Sequence, residues 1–149
     1  MNRMLLLAAV GAGLLVLVAC TPAATPTPAN SIQGIIWQWT SLTNRPTGET
    51  TTVPNPENYT ITFRDDGTVT GQADCNTFSG TYSQEGDFLI TVVPDVMAAC
   101  GGASLDQQYL VLLEDIVAGG PDGAGGLALE TAGGEQRMLF VNGGAATAP

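Results

Sequence analysis

The segment Gly71-Gln-Ala-Asp-Cys-Asn-Thr-Phe-Ser-Gly-Thr-Tyr82 leaves one extended stretch, passes a cysteine, and enters another. Thr68 to Ala73 reads as the first strand and Phe78 to Ser83 as the second. Gln84-Glu85-Gly86 then turns the chain into Asp87 to Val93, a run rich in β-branched and aromatic residues. Upstream, Tyr59, Ile61 and Phe63 alternate with Asn58, Thr60 and Thr62. That period of two points one set to a core and the other to solvent. Asp65-Asp66-Gly67 joins this strand to Thr68, so the pair reads as a hairpin. These acids lack the spaced oxygen ligands and closing Glu of a calcium loop, and a turn explains them. Ile35 to Leu42 is a further strand, with Trp37 and Trp39 on one face. Both could be core, or one could lie open and stack on a sugar or peptide ring. Gly126 to Glu130 and Gln136 to Val141 flank Thr131-Ala132-Gly133-Gly134 as a second hairpin.

One helix interrupts the strands. Ser104 is a candidate N-cap, and Gln107 completes a capping box. Leu105, Tyr109, Leu112, Leu113 and Ile116 share one helical face. Asp106 suits the positive end of the helix dipole, whereas Glu114 and Asp115 oppose it, so that end should be exposed. Gly119-Gly120-Pro121 is expected to stop the helix. Antiparallel strands with one packed helix make an α+β domain, a small antiparallel sheet or partly open barrel.

The chain starts as a targeting segment does. Arg3 is followed by an uncharged run from Leu5 to Val18, ending in Leu17-Val18-Ala19-Cys20. This is similar to the lipobox of bacterial lipoproteins, in which the cysteine after the cut receives diacylglycerol. The run is shorter than the ~20 residues of a spanning helix. The expected organisation is a lipoprotein signal peptide at 1–19, lipidated Cys20 and a Thr/Pro tether at 20–31, one domain at 32–141, and a flexible tail at 142–149. Pro22, Pro26 and Pro28 keep the tether extended.

The net charge of −10 repels phosphate backbones, so no nucleic-acid partner is expected. The sequence has no His and no Lys. It therefore holds no His-dependent triad, no zinc–His site, no Schiff-base lysine and no P-loop lysine. No metal, cofactor or catalytic residue is expected.

With Cys20 assigned to lipid, Cys75 and Cys100 form an even pair in an oxidising compartment. A structural disulfide is the natural reading, and two unpaired buried thiols are the alternative. Closing that loop contributes about 3 kcal/mol through the unfolded state. Asp74 and Asn76 flank Cys75 and could bind a polar ligand, or hydrogen-bond the backbone where a strand ends.

The opening segment resembles the G-x-x-G-C-N-x-F-x-G-x-Y signature of the META domain, found in HslJ-like bacterial lipoproteins. Gly71, Cys75, Asn76, Phe78, Gly80 and Tyr82 match it. Trp37 stands where the family's early W-x-L strand begins, Met97-Ala98-Ala99-Cys100 resembles its second cysteine segment, and Leu105 to Leu113 its helix. Asp74, Val96 and Gly101 stand where the family usually has Gly, Thr and Pro. The resemblance implies a small antiparallel β-structure with a packed helix and a role in the stressed cell envelope. It implies no catalytic residues: Gly71 and Gly80 allow close strand approach, Phe78 and Tyr82 fill the core, and Cys75 forms the crosslink.

The expected function is that of a non-enzymatic envelope lipoprotein, held to the membrane by Cys20 and facing the periplasm or exterior. It would bind an envelope protein or wall component, or stabilise an assembly. A small-ligand or hydrolase-inhibitor module is the alternative, with the Thr/Pro/Asn-rich connection from Thr43 to Glu57 as a candidate recognition loop. A third reading, a carboxylate-pair enzyme, would need residues such as Asp74 and Asp95 to face each other.

Overall fold

The computed structural model describes residues 31–147. The expected leader, Cys20 and nearly all of the tether lie outside the described residues. Nine strands form one antiparallel sheet: β1 (Ile35–Asn44), β2 (Glu49–Thr52), β3 (Tyr59–Phe63), β4 (Thr68–Ala73), β5 (Asn76–Ser83), β6 (Leu89–Pro94), β7 (Ile116–Pro121), β8 (Leu127–Thr131) and β9 (Gln136–Ala145). A single α-helix among the described residues, α1 (Asp106–Glu114), lies between β6 and β7 in the chain.

The strand order is β6-β5-β4-β3-β1-β9-β8-β7, with β2 paired beside β1. Two meanders therefore run outward from β1 in opposite directions. Their outer strands come together at one point, where the Phe88 N–H donates to the Val117 carbonyl at 2.8 Å. The sheet is a curled half-barrel, and α1 links its two ends. This is the partly open α+β barrel expected from the strand pattern.

β1 bends to serve three neighbours. Ile36, Trp37 and Gln38 pair with β3, whereas Ser41 to Asn44 pair with β2 on the same side. β9 runs along the other side, with register shifts between Ile35 and Trp37 and between Trp39 and Ser41. An extra residue in a ladder sharpens local twist and bend. Trp37 and Trp39 both point inward and are buried, so neither offers an exposed stacking platform.

The core is aromatic where the helix enters it. Tyr109 of α1 stacks on Trp39 with ring centroids 5.2 Å apart and meets Tyr59 edge-on at 5.8 Å. Leu112 and Leu113 are buried beside it. Each such side chain contributes roughly 1.5–3 kcal/mol on full burial. The Tyr109 hydroxyl is buried with no hydrogen-bond partner, and burial pushes its pKa well above the usual tyrosine range.

Four expectations need correction. First, α1 starts without a capping box. Ser104 Oγ accepts from the Asp106 N–H at 3.2 Å, and Gln107 donates to the Asp106 carboxylate rather than back to Ser104. The Tyr59 hydroxyl, from across the core, accepts from the Leu105 N–H at 3.0 Å. Second, the helix ends at Glu114, and Ile116 to Pro121 form β7. Ile116 is still buried, but on a strand paired with β8. Gly119 is a close-approach residue there: a Cβ would lie 2.8 Å from the Ala128 carbonyl oxygen. Third, Asn142 to Ala145 extend β9 instead of forming a tail, and Ala146 donates to the Gly34 carbonyl. Fourth, the connection from Thr43 to Glu57 holds an exposed hairpin, β1–β2, with Thr43 opposite Thr50.

The unpartnered hydroxyl gives a direct test. Burying it without a partner costs about 1–3 kcal/mol. Tyr109→Phe, which keeps the ring, is therefore expected to raise unfolding free energy by about 1 kcal/mol in urea titration. A clear loss of stability would show that the hydroxyl is satisfied.

Candidate functional site

The residues singled out in the sequence meet on the β4–β5 hairpin, and nearly all face inward. Phe78 is buried and Tyr82 half-buried. The Tyr82 hydroxyl donates to the Arg64 carbonyl at 2.8 Å and accepts from Gln33 at 2.7 Å, tying the β3–β4 turn to the start of the domain. Gly71 and Gly80 are needed for space. A Cβ on Gly71 would overlap the Thr60 carbonyl and the Phe78 ring, and one on Gly80 would overlap the Thr91 carbonyl. Asp74 sits at φ 56°, a left-handed conformation that Asp adopts more readily than most residues with a Cβ.

Cys75 and Cys100 are joined by a disulfide, with Cα atoms 5.5 Å apart. The amide of Asn76, buried beneath it, donates to the Ala98 carbonyl at 3.0 Å and to the Asp106 carboxylate at 3.2 Å. Its oxygen accepts from the Ala98 N–H at 2.8 Å. Asn76 thus ties a strand, a loop and a helix start together. The loop it holds displays Val96 and Met97, 66% and 59% exposed, as a fixed apolar surface.

The opposite face of the same strands carries a groove of about 430 Å³. Ile36, Thr60, Thr62, Thr70, Gln72, Thr77, Ser79 and Asp95 supply most of its lining. The register sets these side chains in rows. Ile36, Thr62, Thr70 and Ser79 lie side by side across four strands, and Gln38, Thr60, Gln72 and Thr77 form the next row. Asp95 closes one end. Its carboxylate accepts from Thr77 Oγ1 at 2.9 Å and from Ser79 Oγ at 3.1 Å. Asp74 lies away from this groove and instead takes a long contact from Asn58 at 3.5 Å. The two carboxylates considered as a catalytic pair are thus not brought together in it.

Sequence reasoning missed the groove. Its signal was present, since Thr60 and Thr62, Thr68 and Thr70, and Thr77, Ser79 and Thr81 alternate with core residues. Among the described residues no group of three or more His, Cys, Asp or Glu gathers as metal ligands would.

The META domain family pattern matches residues 30–143, and the chain belongs to that family. Its fold is also similar to the crystal structure of a DUF4847 family protein from Bacteroides vulgatus ATCC 8482. That likeness has a TM-score of 0.52 at 17% identity, covering 74% of this chain and 93% of the other. Among curated proteins, none matches the chain.

The Asn76 tie is expected to dominate local stability. Asn76→Ala removes three hydrogen bonds and leaves the Asp106 carboxylate without one of its donors. The expected cost is about 2–3 kcal/mol in denaturant unfolding. A change within about 0.5 kcal/mol, the size of an ordinary surface substitution, would show that the loop stands without it.

Proposed function

We propose that this META domain protein is a membrane-anchored lipoprotein of the bacterial cell envelope, and that its domain is a binding module rather than an enzyme. The lipobox-like Leu17-Val18-Ala19-Cys20 and the proline-rich tether support the anchoring. The observation that carries the binding role is the outer-face groove. It is lined by hydroxyls and an amide, and its only acid, Asp95, is engaged by two hydroxyls. A glycosidase-like site needs two carboxylates across a cleft. Here the lining offers one acid and a row of hydrogen-bonding groups, which suits recognition. A tethered domain with such a surface would hold an envelope component close to the membrane, or brace an assembly under stress.

A second reading rests on the loop from Asp95 to Cys100. A disulfide and Asn76 hold it rigid while Val96 and Met97 stand exposed. Preordered apolar loops bind with little ordering cost, and a hydrolase cleft is one surface that would accept such a loop.

Mass spectrometry of membrane-extracted protein is expected to show a chain beginning at Cys20 and carrying acyl groups. An unmodified precursor mass would overturn the anchoring. Crosslinking in intact cells is expected to capture an envelope component, with loss on Cys20→Ser. Capture abolished by Met97→Asp but kept in Asp95→Asn would favour the loop over the groove.

A further inference from the structure

We infer that the outer-face groove is a carbohydrate site, built for a short stretch of uncharged glycan. The inference rests on the binding-module reading and names the ligand class of that site.

Hydrogen-bond polarity carries the argument. Thr77 and Ser79 each have one hydroxyl proton, and both protons are directed to Asp95. Their oxygens are left as acceptors, as are the remaining lone pairs of the Asp95 carboxylate. Gln72 spends one amide proton on the Asp74 carbonyl at 2.8 Å, which leaves its carbonyl oxygen to accept and its second amide proton to donate. At Asp95, Thr77 and Ser79 the groove must therefore be met by donors. Further along, Thr60, Thr62 and Thr70 offer hydroxyls that both donate and accept. No Arg lines the groove.

These conditions exclude most ligand classes. Phosphates, carboxylates and anionic glycans would meet a carboxylate, no cation, and a chain of net charge −10. An ammonium group would satisfy Asp95 but leave the threonine rows unmatched. An apolar ligand would strip water from the hydroxyls without replacing their hydrogen bonds. A polyol answers both parts. Neighbouring hydroxyls donate to the Asp95 oxygens, and further hydroxyls exchange donor and acceptor roles along the rows. Ile36, at the far end of one row, gives an apolar contact for a sugar's C–H face. Strands stand about 4.8 Å apart, so a row crossing four of them spans about 14 Å, the length of a short oligosaccharide.

The test uses the full-length chain in detergent, with binding followed by calorimetry and ligand-observed NMR. The probes are cellotriose, chitotriose, trigalacturonic acid and spermidine. Binding of cellotriose or chitotriose, with trigalacturonic acid and spermidine inert, is the expected result. Preference for chitotriose would point to a wall-type, N-acetylated source, and preference for cellotriose to a plain hexose polymer. Asp95→Asn is expected to weaken binding about tenfold, through loss of charge-assisted hydrogen bonds. Thr70→Val, an outward-facing change of similar shape, is expected to weaken it without altering the melting temperature. Val111→Ser, on the exposed side of α1, is expected to leave it unchanged. Binding of only the acid or only the amine would overturn the inference, as would glycan binding indifferent to both Asp95→Asn and Thr70→Val. No binding of any probe by folded protein would also overturn it. That result would leave the acylated mass and the cellular crosslink standing, so the two proposals fail separately.

Discussion

The half-barrel depends on its gap being filled. β6 and β7 meet through one backbone hydrogen bond, so the curled sheet is not closed by strand pairing alone. The α1 helix places Tyr109 against Trp39, Tyr59 and Phe78, and against Phe140 of β9 on the other side of β1. One fully buried ring thus joins both meanders and the helix. Its hydroxyl has no partner, a cost that the surrounding aromatic burial offsets.

That plug must also be held in place, and here the family signature acquires its physical meaning. The disulfide and Asn76 fix the segment leading into α1, while the Tyr59 hydroxyl supplies an acceptor at the helix start. Gly71 and Gly80 let β4 and β5 pack against their neighbours without a side chain in the way. Family membership and the DUF4847 likeness are both consistent with such a scaffold. Of the signature residues, Asn76 and Phe78 are buried inside the half-barrel, while Thr77 and Ser79 between and beside them face outward.

The outside is where the functional argument lies. The same strands that bury Phe78, Ile61 and Val69 turn Thr and Ser residues outward in register. Asp95, placed just after β6, gives that face a polarity that isolated threonines lack. The disulfide-held loop follows at once, so the two candidate recognition surfaces share one stretch of chain.

The sequence by itself determined the strands whose side chains alternate, because a period of two is a local property of extended chain. It determined the two hairpins at Asp66-Gly67 and Gly133-Gly134, the existence of the helix, and the family. It also excluded histidine and lysine chemistry outright. It misread residues whose state depends on distant partners. Ile116 continues the helical spacing but pairs with Thr131, and Gly119 reads as a helix stop but is a close contact with Ala128 and Leu129. Asn142 to Ala145 look like a tail yet complete the β1 ladder. Only the tertiary structure decided that both tryptophans are buried, that Tyr59 rather than a capping box meets the helix start, and that Asp95 joins Thr77 and Ser79 while Asp74 stays apart. The reason is physical: a ladder hydrogen bond or a groove is made by residues far apart in sequence, and local spacing holds no record of which strand lies beside which.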